Sequence, residues 1–459
     1  MAKLISTNPS ENYEKIGEVK ISSMREIEGK VKSARNVQEE WQNIGVKNRI
    51  KYLKKVYGAF DKNRKEISEI ACKEMGFPIS QHEMFDLGDG FNYFKWYLEN
   101  GEKCLKEEVT FENKNEIHTI HFEPIGVAAV IQSWNYPFCQ WVWGVVPALV
   151  AGNTVVFKHS EEVPLCGKLI QEIIDSCKLP KGVFSEVYGD GKVGEILINQ
   201  DIDLVSFTGS AKVGKHVYEI CGKKFIKAVI ELGGSAPGII FEDADIEKSI
   251  EHVYGVRFTN CGQVCDGLKR LIVHEKVFDK VVRKLKEVLE SKVIGDPLDT
   301  KTDFGPLVAK RQQKLIISQV KDAEEKGAKV ITGGEVPLKL KGAYYKPTIL
   351  TNIKSTMRVW NEEVFGPVLP VISFKTEKDA AKFANDTKYG LGSYVYTKDL
   401  NKAQRIACQI KTGMVSINGT NYVCPFNPFG GYKDSGFGRE HSKYGLYELC
   451  QMKVVAWNK

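Results

Sequence analysis

The chain has 459 residues, of which 42% are hydrophobic and 27% charged, which is the balance of an ordinary globular protein with more than one domain. Its formal net charge of +7 comes from 65 basic and 58 acidic residues spread along the sequence, so the concentrated basic patch typical of nucleic-acid-binding proteins is missing. Residues 1–14 are polar and contain no apolar stretch long enough for a secretory signal. We therefore expect a cytoplasmic protein with reduced thiols.

The first hundred residues are predicted to be helical. The pattern Ser23-x-x-Glu26 matches a helix-capping box, and apolar residues recur after it at helical spacing. The three apolar stripes are Ile27, Val31, Ala34, Val37 and Trp41; Ile50, Leu53, Val56, Tyr57 and Phe60; and Ile67, Ile70 and Ala71. These stripes predict helices that face a core and carry little chemistry.

The segment 124–157 invites a membrane interpretation, because it contains no charged residue. Asn135, Pro137, Pro147 and Asn153 interrupt it, and irregular backbone that faces lipid has no hydrogen-bond partners. We therefore expect a buried strand, a loop, a helix and a second strand in this segment, and no membrane contact.

Predicted strands and helices alternate along most of the remaining chain. The predicted elements are strands at 116–122, 127–131, 154–157, 183–187, 204–207, 238–241, 270–274, 368–374 and 452–457, and helices at 138–150, 165–177, 192–198, 246–258, 276–289 and 310–326. Repeated β–α units predict an α/β fold with a parallel sheet that is covered on both faces. For the last strand, pairing with another subunit and docking on its own domain both fit the apolar pattern.

The first pattern with chemical content is Ser133-Trp134-Asn135-Tyr136-Pro137, in the loop after a predicted buried strand. A side-chain amide that is held there can donate a hydrogen bond to an oxyanion. The alternative is an asparagine that only fixes a loop before a proline.

The second pattern is Phe207-Thr208-Gly209-Ser210, followed by Gly214, where a strand passes into a helix. Free backbone N–H groups at a helix start suit a pyrophosphate. The pattern is not the G-x-G-x-x-G fingerprint, so an ordinary strand-to-helix turn is the alternative.

The third pattern, Glu231-Leu232-Gly233-Gly234, places a carboxylate at the end of the apolar strand 228–230. Burial there raises the pKa of a glutamate towards neutrality, which suits a general base. The two glycines allow the backbone to approach a ligand closely. A structural carboxylate in a salt bridge is the alternative.

The fourth pattern, Asn260-Cys261-Gly262-Gln263-Val264-Cys265, places Cys265 in a polar turn, where the pKa of a thiol can fall. The chain holds 11 cysteines, most of which we expect to be small buried apolar residues, so an inert thiol is the alternative. On a helix, Cys261 and Cys265 would share a face, but two thiols alone make a poor zinc site. We expect no metal.

In their order and combination, these patterns resemble the aldehyde dehydrogenase superfamily from end to end. Further blocks, among them Lys158-His159 and 436–440, resemble short bacterial and archaeal succinate-semialdehyde dehydrogenase-like members. The blocks that match the superfamily lie at 134–137, 147–153, 207–210, 231–234, 262–265, 362–367, 428–433 and 435–440.

The resemblance implies that Cys265 attacks an aldehyde as a thiolate, while its own backbone N–H and the Asn135 side chain stabilise the oxyanion. Hydride transfer to a nicotinamide then leaves a thioester, which water hydrolyses with Glu231 as the general base. Relatives that pass the acyl group to coenzyme A usually lack this carboxylate, so hydrolysis is expected. The alternative from another class is a catalytically silent binding protein on the same fold, which would be expected to lack one of these three residues.

The resemblance also implies a cofactor site, with NAD favoured and NADP as the alternative. A Glu161 carboxylate that points at the adenosine ribose accepts hydrogen bonds from NAD and repels the 2′-phosphate of NADP. In the family the residue after Lys158 is more commonly proline than histidine. The implied cofactor-binding residues are Trp134, Lys158, Glu161, Gly209, Ser210, Gly214, Leu232, Glu363 and Phe365.

The implied substrate pocket contains no cation. In succinate-semialdehyde dehydrogenase-like members an arginine commonly stands where this chain has Trp143, and it pairs with the distal carboxylate of the substrate. The matching pocket positions are Tyr136, Gln140, Trp143, Val264, Asp266, Val423 and Phe429. This aromatic and neutral or slightly negative lining favours apolar, hydroxylated or amino-bearing aldehydes, with succinate semialdehyde as the alternative.

The implied aldehyde dehydrogenase fold has three parts. We expect a Rossmann-like cofactor-binding domain from 1–104 and 124–233, an α/β catalytic domain from 234–449, and a small β oligomerisation element from 105–123 and 450–459. The expected partners are a small-molecule aldehyde and copies of the same chain, in a homodimer or a homotetramer.

Overall fold

The computed structural model describes residues 2–459, whose strands form four sheets. Numbered in chain order, the strands are β1 Lys3–Asn8, β2 Glu14–Lys20, β3 Glu108–Glu112, β4 Glu116–Pro124, β5 Val127–Ile131, β6 Thr154–Lys158, β7 Phe184–Glu186, β8 Leu204–Thr208, β9 Lys227–Glu231, β10 Ala236–Ile240, β11 Leu268–His274, β12 Lys329–Thr332, β13 Thr348–Thr351, β14 Val368–Phe374, β15 Tyr394–Tyr396, β16 Ser416–Ile417, β17 Gly436–Phe437 and β18 Cys450–Asn458. The α-helices are α1 Met24–Asn43, α2 Val46–Lys62, α3 Arg64–Met75, α4 Ile79–His82, α5 Asp89–Cys104, α6 Pro137–Ala151, α7 Pro164–Ser176, α8 Gly191–Ile198, α9 Ala211–Lys224, α10 Ile246–Phe258, α11 Phe278–Glu290, α12 Lys310–Glu325, α13 Arg358–Asn361, α14 Glu377–Asn385, α15 Leu400–Gln409 and α16 Ser442–Glu448. Shorter turns are a π-helical turn at Glu83–Gly88 and 3-10 turns at Thr259–Gly262, Glu275–Val277 and Lys433–Ser435.

A six-stranded sheet organises the first half of the chain, in the order β17-β9-β8-β5-β6-β7. Its strands are parallel except β17, which pairs antiparallel with β9. On one face of β5, Ala128 and Val130 pack with residues of α5 and α6. On the other face, Val127, Ala129 and Ile131 pack with residues of α8 and α9. The parallel sheet covered on both faces is thus confirmed, and with it the predicted α/β fold class.

A seven-stranded sheet organises the second half, in the order β12-β13-β14-β11-β10-β15-β16. Its neighbouring strands are parallel except for the pair β12 and β13. The strands predicted in this region are confirmed as β10, β11 and β14, and two of the helices as α10 and α12. The third helix, predicted from residue 276, begins at Phe278 instead, because a 3-10 turn occupies Glu275–Val277.

The helix predicted over the first residues is wrong for 3–20, which form an antiparallel hairpin of β1 and β2. The buried hydroxyl of Ser6 donates to the Glu74 carboxylate of α3 at 2.5 Å. Gly17 lies so close to Leu165 of α7 that a Cβ there would meet its side chain at 2.8 Å. These contacts join the hairpin to residues far along the chain, which no local periodicity reveals.

From α1 onwards the helical prediction is confirmed. The buried residues of α1, α2 and α3 include nearly all members of the three predicted apolar stripes. Ser23 caps α1 by accepting a hydrogen bond from the backbone N–H of Glu26. The Glu26 carboxylate lies 3.2 Å from the Lys30 ammonium, so only half of the predicted capping box forms among the described residues.

The uncharged segment 124–157 contains β5, α6 and β6, as predicted. Fourteen of the fifteen residues of α6 are buried, which explains the absence of charge without a lipid environment. Among residues 2–459, no helix is both long and apolar enough to span a bilayer.

A three-stranded antiparallel sheet has the order β18-β4-β3. The last strand of the chain, β18, pairs with β4 of the same chain from Cys450 opposite Pro124 to Asn458 opposite Glu116. Of the two arrangements left open for this strand, the structure therefore shows the one within the chain. Apolar side chains of the outer strands are exposed, namely Val109, Phe111, Met452, Val454 and Trp457.

The candidate site residues lie where the two large sheets meet. Asn135 follows β5, and Glu231 ends β9 of the six-stranded sheet. Cys265 lies in the loop before β11 of the seven-stranded sheet. Ligands of parallel α/β sheets bind beyond the carboxyl ends of the strands, and two of these three residues lie at such ends.

Candidate active site

The loop that carries Cys265 has a tightly constrained backbone. Asn260 and Cys261 adopt left-handed conformations, with φ of 52° and 54°, and Gly262 follows with φ of 73°. A Cβ at Gly262 would collide with the carbonyl oxygen of Gly366. Cys261 is buried in the core of the second sheet. The 3-10 turn ends at Gly262 and Cys265 lies in the loop beyond it, so Cys265 lies in a turn, as predicted, and the two thiols do not share a helical face.

Asn135 lies directly against this loop. Its side-chain amide Nδ2 donates to the backbone carbonyl of Gln263 at 3.0 Å, and Asn260 Nδ2 donates to the backbone carbonyl of Asn135 at 2.7 Å. Ser133 Oγ donates to Asn135 Oδ1 at 2.7 Å, which orients the amide with its NH2 group towards the loop. The structure thus brings an amide donor within two residues of the candidate nucleophile.

Glu231 also lies against the Cys265 loop, through the glycines that follow it. A Cβ at Gly234 would lie 2.7 Å from the carbonyl oxygen of Cys265, so this backbone approach requires glycine. Both carboxyl oxygens of Glu231 are buried and have no hydrogen-bond partner among residues 2–459. Burial is the largest cause that raises the pKa of Glu231 well above its ordinary value. The charge of Glu440 raises this pKa further, and Arg439 lowers it. The direction of shift expected for this carboxylate is confirmed.

Glu440 is a titratable group of the site that the sequence patterns did not single out. It is buried, and burial raises its pKa to about 7. Its backbone forms a two-way hydrogen-bonded bridge with Phe429, at 2.8 Å in each direction. Its position in the matching block 435–440 was the available signal, but that block contains no feature that separates a buried carboxylate from an exposed one.

The pKa of the Cys265 thiol is shifted in the opposite direction to the one expected. Burial and the neighbouring Asp266 raise it well above its ordinary value, Glu363 and Glu231 raise it further, and Lys269 lowers it. The physical reason is that Cys265 is half-buried in a turn whose neighbouring residues are mostly buried, and that its thiol faces mainly carboxylates. A thiol in this state needs a general base, or a change in its surroundings, to become a nucleophile.

The turn after β8 fits a pyrophosphate. Ser210 caps α9 by accepting from the backbone N–H of Val213 at 3.4 Å, and the Thr208 hydroxyl is buried without a partner among the described residues. A Cβ at Gly214 would collide with the Leu232 side chain, so glycine allows α9 to lie against the end of β9. Helix α9 has 14 residues, and its amino end offers free N–H groups together with an unused hydroxyl.

Two further implied cofactor residues lie at the end of β6, on the other side of β5 from this turn. The buried Lys158 ammonium donates to the backbone carbonyl of His159 at 3.0 Å and lies 3.8 Å from the Glu161 carboxylate. The side chain of Glu161 is 43% exposed, so it is free to meet a ligand. His159, at the position more commonly proline, forms a buried pair with Glu186 at 2.6 Å.

The remaining implied cofactor residues lie next to the candidate nucleophile. Glu363 accepts from the backbone N–H of Gly234 at 3.0 Å, and a Cβ at Gly233 would collide with its carboxylate. The rings of Trp134 and Phe365 meet edge to face, with centroids 5.5 Å apart. The start of α9 and the unpaired Thr208 hydroxyl, with Glu161 after β6 and Glu363 beside Gly234, together fit a dinucleotide.

Most of the implied substrate residues belong to two apolar clusters. The clusters adjoin at the consecutive residues Val264 and Cys265. Tyr136 and Trp143 belong to one cluster with Val264, whereas Val423 and Phe429 belong to the other with Cys265. Two other implied positions are polar groups in the interior. The Asp266 carboxylate is 3.9 Å from Cys265 Sγ, and Gln140 Oε1 has no partner among residues 2–459.

The structure adds two aromatic residues to this pocket, Tyr93 and His441. The His441 ring lies 4.4 Å from the ring of Tyr93, 5.1 Å from Trp143 and 5.2 Å from Phe429, between centroids. Both of its nitrogens lack a partner within the described chain, and burial lowers its pKa to about 3, so it is neutral. No sequence pattern indicated either residue, because Tyr93 belongs to an ordinary apolar helix stripe and His441 to no motif.

Residues 2–459 contain no group of three or more His, Cys, Asp or Glu side chains arranged to hold a metal ion.

Comparison with known proteins gives one family. The model of the aldehyde dehydrogenase family matches residues 2–455. Betaine aldehyde dehydrogenase of Bacillus subtilis (strain 168) is 36% identical over 424 residues, which cover 91% of this chain and 86% of the relative. Succinate-semialdehyde dehydrogenase [NADP(+)] GabD of Escherichia coli (strain K12) is 33% identical over 451 residues, covering 98% and 93%. The crystal structure of betaine aldehyde dehydrogenase from Staphylococcus aureus in complex with NAD+ superimposes with a TM-score of 0.94 at 32% identity, covering 99% of this chain and 91% of that one.

Proposed function

Because this chain belongs to the aldehyde dehydrogenase family, we propose that it oxidises an aldehyde to its carboxylic acid with NAD(P), through a covalent intermediate on Cys265. The observation that carries the proposal is the convergence of an amide, a carboxylate and a thiol from three separate segments. The Asn135 amide donates to the Cys265 loop, and the segment that follows Glu231 lies against the Cys265 carbonyl.

The reaction begins when a general base takes the proton of the Cys265 thiol, for which the unpaired Glu231 carboxylate is available, and the resulting thiolate attacks the carbonyl carbon. A C–S bond forms and the π electrons move to oxygen, giving a thiohemiacetal anion. Asn135 Nδ2 and the Cys265 backbone N–H donate hydrogen bonds to that oxygen, which is the point where negative charge develops. When bound, NAD(P) would supply the acceptor for the hydride that leaves the substrate carbon as the carbonyl re-forms. The product on the protein is a thioester.

Glu231 then acts on water. Its unpaired carboxylate takes a proton as the water oxygen attacks the thioester, the C–S bond breaks, and the Cys265 thiolate leaves. A raised pKa makes Glu231 a stronger base than an exposed glutamate. Glu440, buried beside it, is the next group that can receive the proton.

For the cofactor, the Gly209–Ser210 turn and Gly214 would hold the pyrophosphate, with Leu232 packed beside them. Lys158 and Glu161 would meet the adenosine ribose. Glu363, Phe365 and Trp134 would hold the nicotinamide end next to Cys265. We favour NAD over NADP, because the exposed Glu161 carboxylate accepts hydrogen bonds from ribose hydroxyls and repels a 2′-phosphate.

For the substrate, we favour apolar, hydroxylated or amino-bearing aldehydes. The pocket side chains Tyr136, Trp143 and Phe429 are aromatic, and Asp266 adds a carboxylate next to the nucleophile. Aromatic faces and a carboxylate attract cations and repel anions. Unpaired polar atoms on Gln140 and Trp143 offer hydrogen bonds to a hydroxyl or amino group.

Succinate semialdehyde stays the second candidate, because the GabD relative carries that name. Its distal carboxylate would need a cationic partner in the pocket. We further propose the three-part division into 1–104 with 124–233, 234–449, and 105–123 with 450–459, and a homodimer or homotetramer.

The test is a spectrophotometric panel of aldehydes with NAD and NADP side by side, run on the wild type and on Cys265→Ala. The variant should lose turnover and still bind the cofactor, because only the nucleophile is removed. Cys408→Ala serves as the matched control, since Cys408 is exposed and outside the site, and it should retain full rate. Substantial turnover by Cys265→Ala would reject the assignment.

A further inference from the structure

Lys269, the second residue of β11, carries a buried charge directly beneath the Cys265 loop. Its side chain is 1% exposed. The ammonium donates to the backbone carbonyls of Val264 and Cys265 at 2.7 Å each and lies 3.1 Å from the Glu363 carboxylate. Burial lowers the pKa of Lys269, with a further lowering from Arg257, whereas the neighbouring Glu363 and Cys265 raise it. Three acceptors satisfy the donors of the ammonium, which offsets the cost of burying its charge.

The contact with Val264 fixes the orientation of one peptide group. The C=O of Val264 and the N–H of Cys265 belong to the same trans peptide and point in opposite directions. Because the C=O points at Lys269, the Cys265 N–H points away from it, and no protein acceptor among residues 2–459 takes that hydrogen. A positive charge on the carbonyl side polarises the peptide and strengthens its N–H as a donor.

The charged groups that face the Cys265 thiol are Asp266, Glu363, Glu231 and Lys269. The three carboxylates favour the neutral thiol, whereas the Lys269 ammonium favours the thiolate. Without the ammonium, the thiol would face carboxylates alone.

We propose that Lys269 is a positioning residue, which aims the Cys265 N–H at the oxyanion and favours the Cys265 thiolate. The inference rests on the proposed function, because the oxyanion and the thiolate belong to that reaction. The inference goes beyond the proposed function, because it gives a role to a residue that touches neither the substrate nor the reacting atoms. Its third partner, Glu363, links this lysine to the nicotinamide end of the cofactor cleft.

The experiment measures thiol reactivity and turnover separately in the full-length protein. Alkylation of Cys265 by iodoacetamide is followed from pH 6 to 10 by mass spectrometry, and kcat is measured with NAD and a saturating aldehyde. In Lys269→Met, alkylation at neutral pH should fall about tenfold, with the titration moved to higher pH, and kcat should fall about a hundredfold. Lys402→Met is the matched control, since Lys402 is 12% exposed and bound to Asp243, and it should change neither.

Lys269→Arg keeps the charge but presents a planar fork in place of a compact ammonium. It should keep the alkylation profile of the wild type while kcat falls about tenfold, a combination that lost stability alone does not produce. A folded Lys269→Met with the alkylation profile and kcat of the wild type overturns the inference. Should Lys269→Met fail to fold, a Lys269→Arg profile moved to higher pH overturns it instead.

The two proposals fail in different ways. Turnover that survives in Cys265→Ala would remove the proposed function, whatever the alkylation data show. Loss of turnover in Cys265→Ala, together with the alkylation profile and kcat of the wild type in Lys269→Met, would remove only the role of Lys269.

Discussion

Gly234→Ala tests how closely the Glu231 segment and the Cys265 loop have to approach each other. The new Cβ would lie 2.7 Å from the Cys265 carbonyl oxygen and 3.1 Å from Leu391 Cβ. Contacts of this kind are essentially never closer than 3.0 Å, so the loop has to retreat by at least about 0.3 Å. The Cys265 carbonyl is also an acceptor of Lys269, so the movement disturbs that contact too.

A displacement of about 1 Å at a reacting group costs roughly a hundredfold in rate, so a shift of about 0.3 Å should lower kcat about fourfold. Overpacking of this kind should also lower the free energy of unfolding by about 1–3 kcal/mol. Steady-state kcat and denaturant unfolding measure the two effects. Gly255→Ala in α10 is the control, because no atom lies within 4 Å of its Cβ position and alanine favours a helix. Wild-type kcat in Gly234→Ala would refute the close approach as a requirement of the site.

Further variants test the other parts of the site. Glu440→Gln removes a charge that raises the pKa of Glu231. The acidic limb of the pH–rate profile for release of the carboxylic acid, measured in single-turnover experiments, should therefore move to lower pH. An unmoved limb would show that Glu440 does not influence the pKa of Glu231. Trp143→Arg supplies the cation that the pocket lacks, so kcat/KM for succinate semialdehyde should rise at least about tenfold relative to a neutral aldehyde; an unchanged ratio would show that residue 143 does not meet the distal group. Glu161→Gln removes the charge that opposes a 2′-phosphate, so the KM for NADP should fall about tenfold while that for NAD rises; an unaltered NADP KM would place Glu161 outside the ribose site.

Most of the fold could be predicted because local periodicity and burial agree along the chain. The uninterrupted apolar run of β5, which is buried on both faces, and the stripes of α1 to α3 were visible as patterns of apolar residues. The hairpin of β1 and β2 was not, since its register depends on contacts with Glu74 and Leu165, which are far along the chain. The turn before α11 was missed for a simpler reason, because the apolar pattern continues through it.

Residues of the candidate site could be predicted only where they belong to short sequence motifs whose residue types indicate a chemical role. Cys265, Asn135 and Glu231 stood in such motifs, and the structure brings their segments together. The polar sequence of the Cys265 turn gave the wrong direction for the pKa of the thiol, because a sequence shows that a turn is polar but does not show how far it is buried. Lys269 and His441 were missed because only the structure shows which residues pack around them.

The groups to which we assign the catalytic roles are divided between the two large sheets, and this has a consequence for how the protein loses activity. Asn135 and Glu231 belong to the six-stranded sheet, whereas Cys265 precedes a strand of the seven-stranded one. Each sheet has its own apolar core, so a slight loosening between them separates the sulfur from its base while both cores persist. Turnover should thus disappear under mild warming or at low denaturant concentration, well before circular dichroism reports melting. Loss of activity would then measure the loosening between the two sheets.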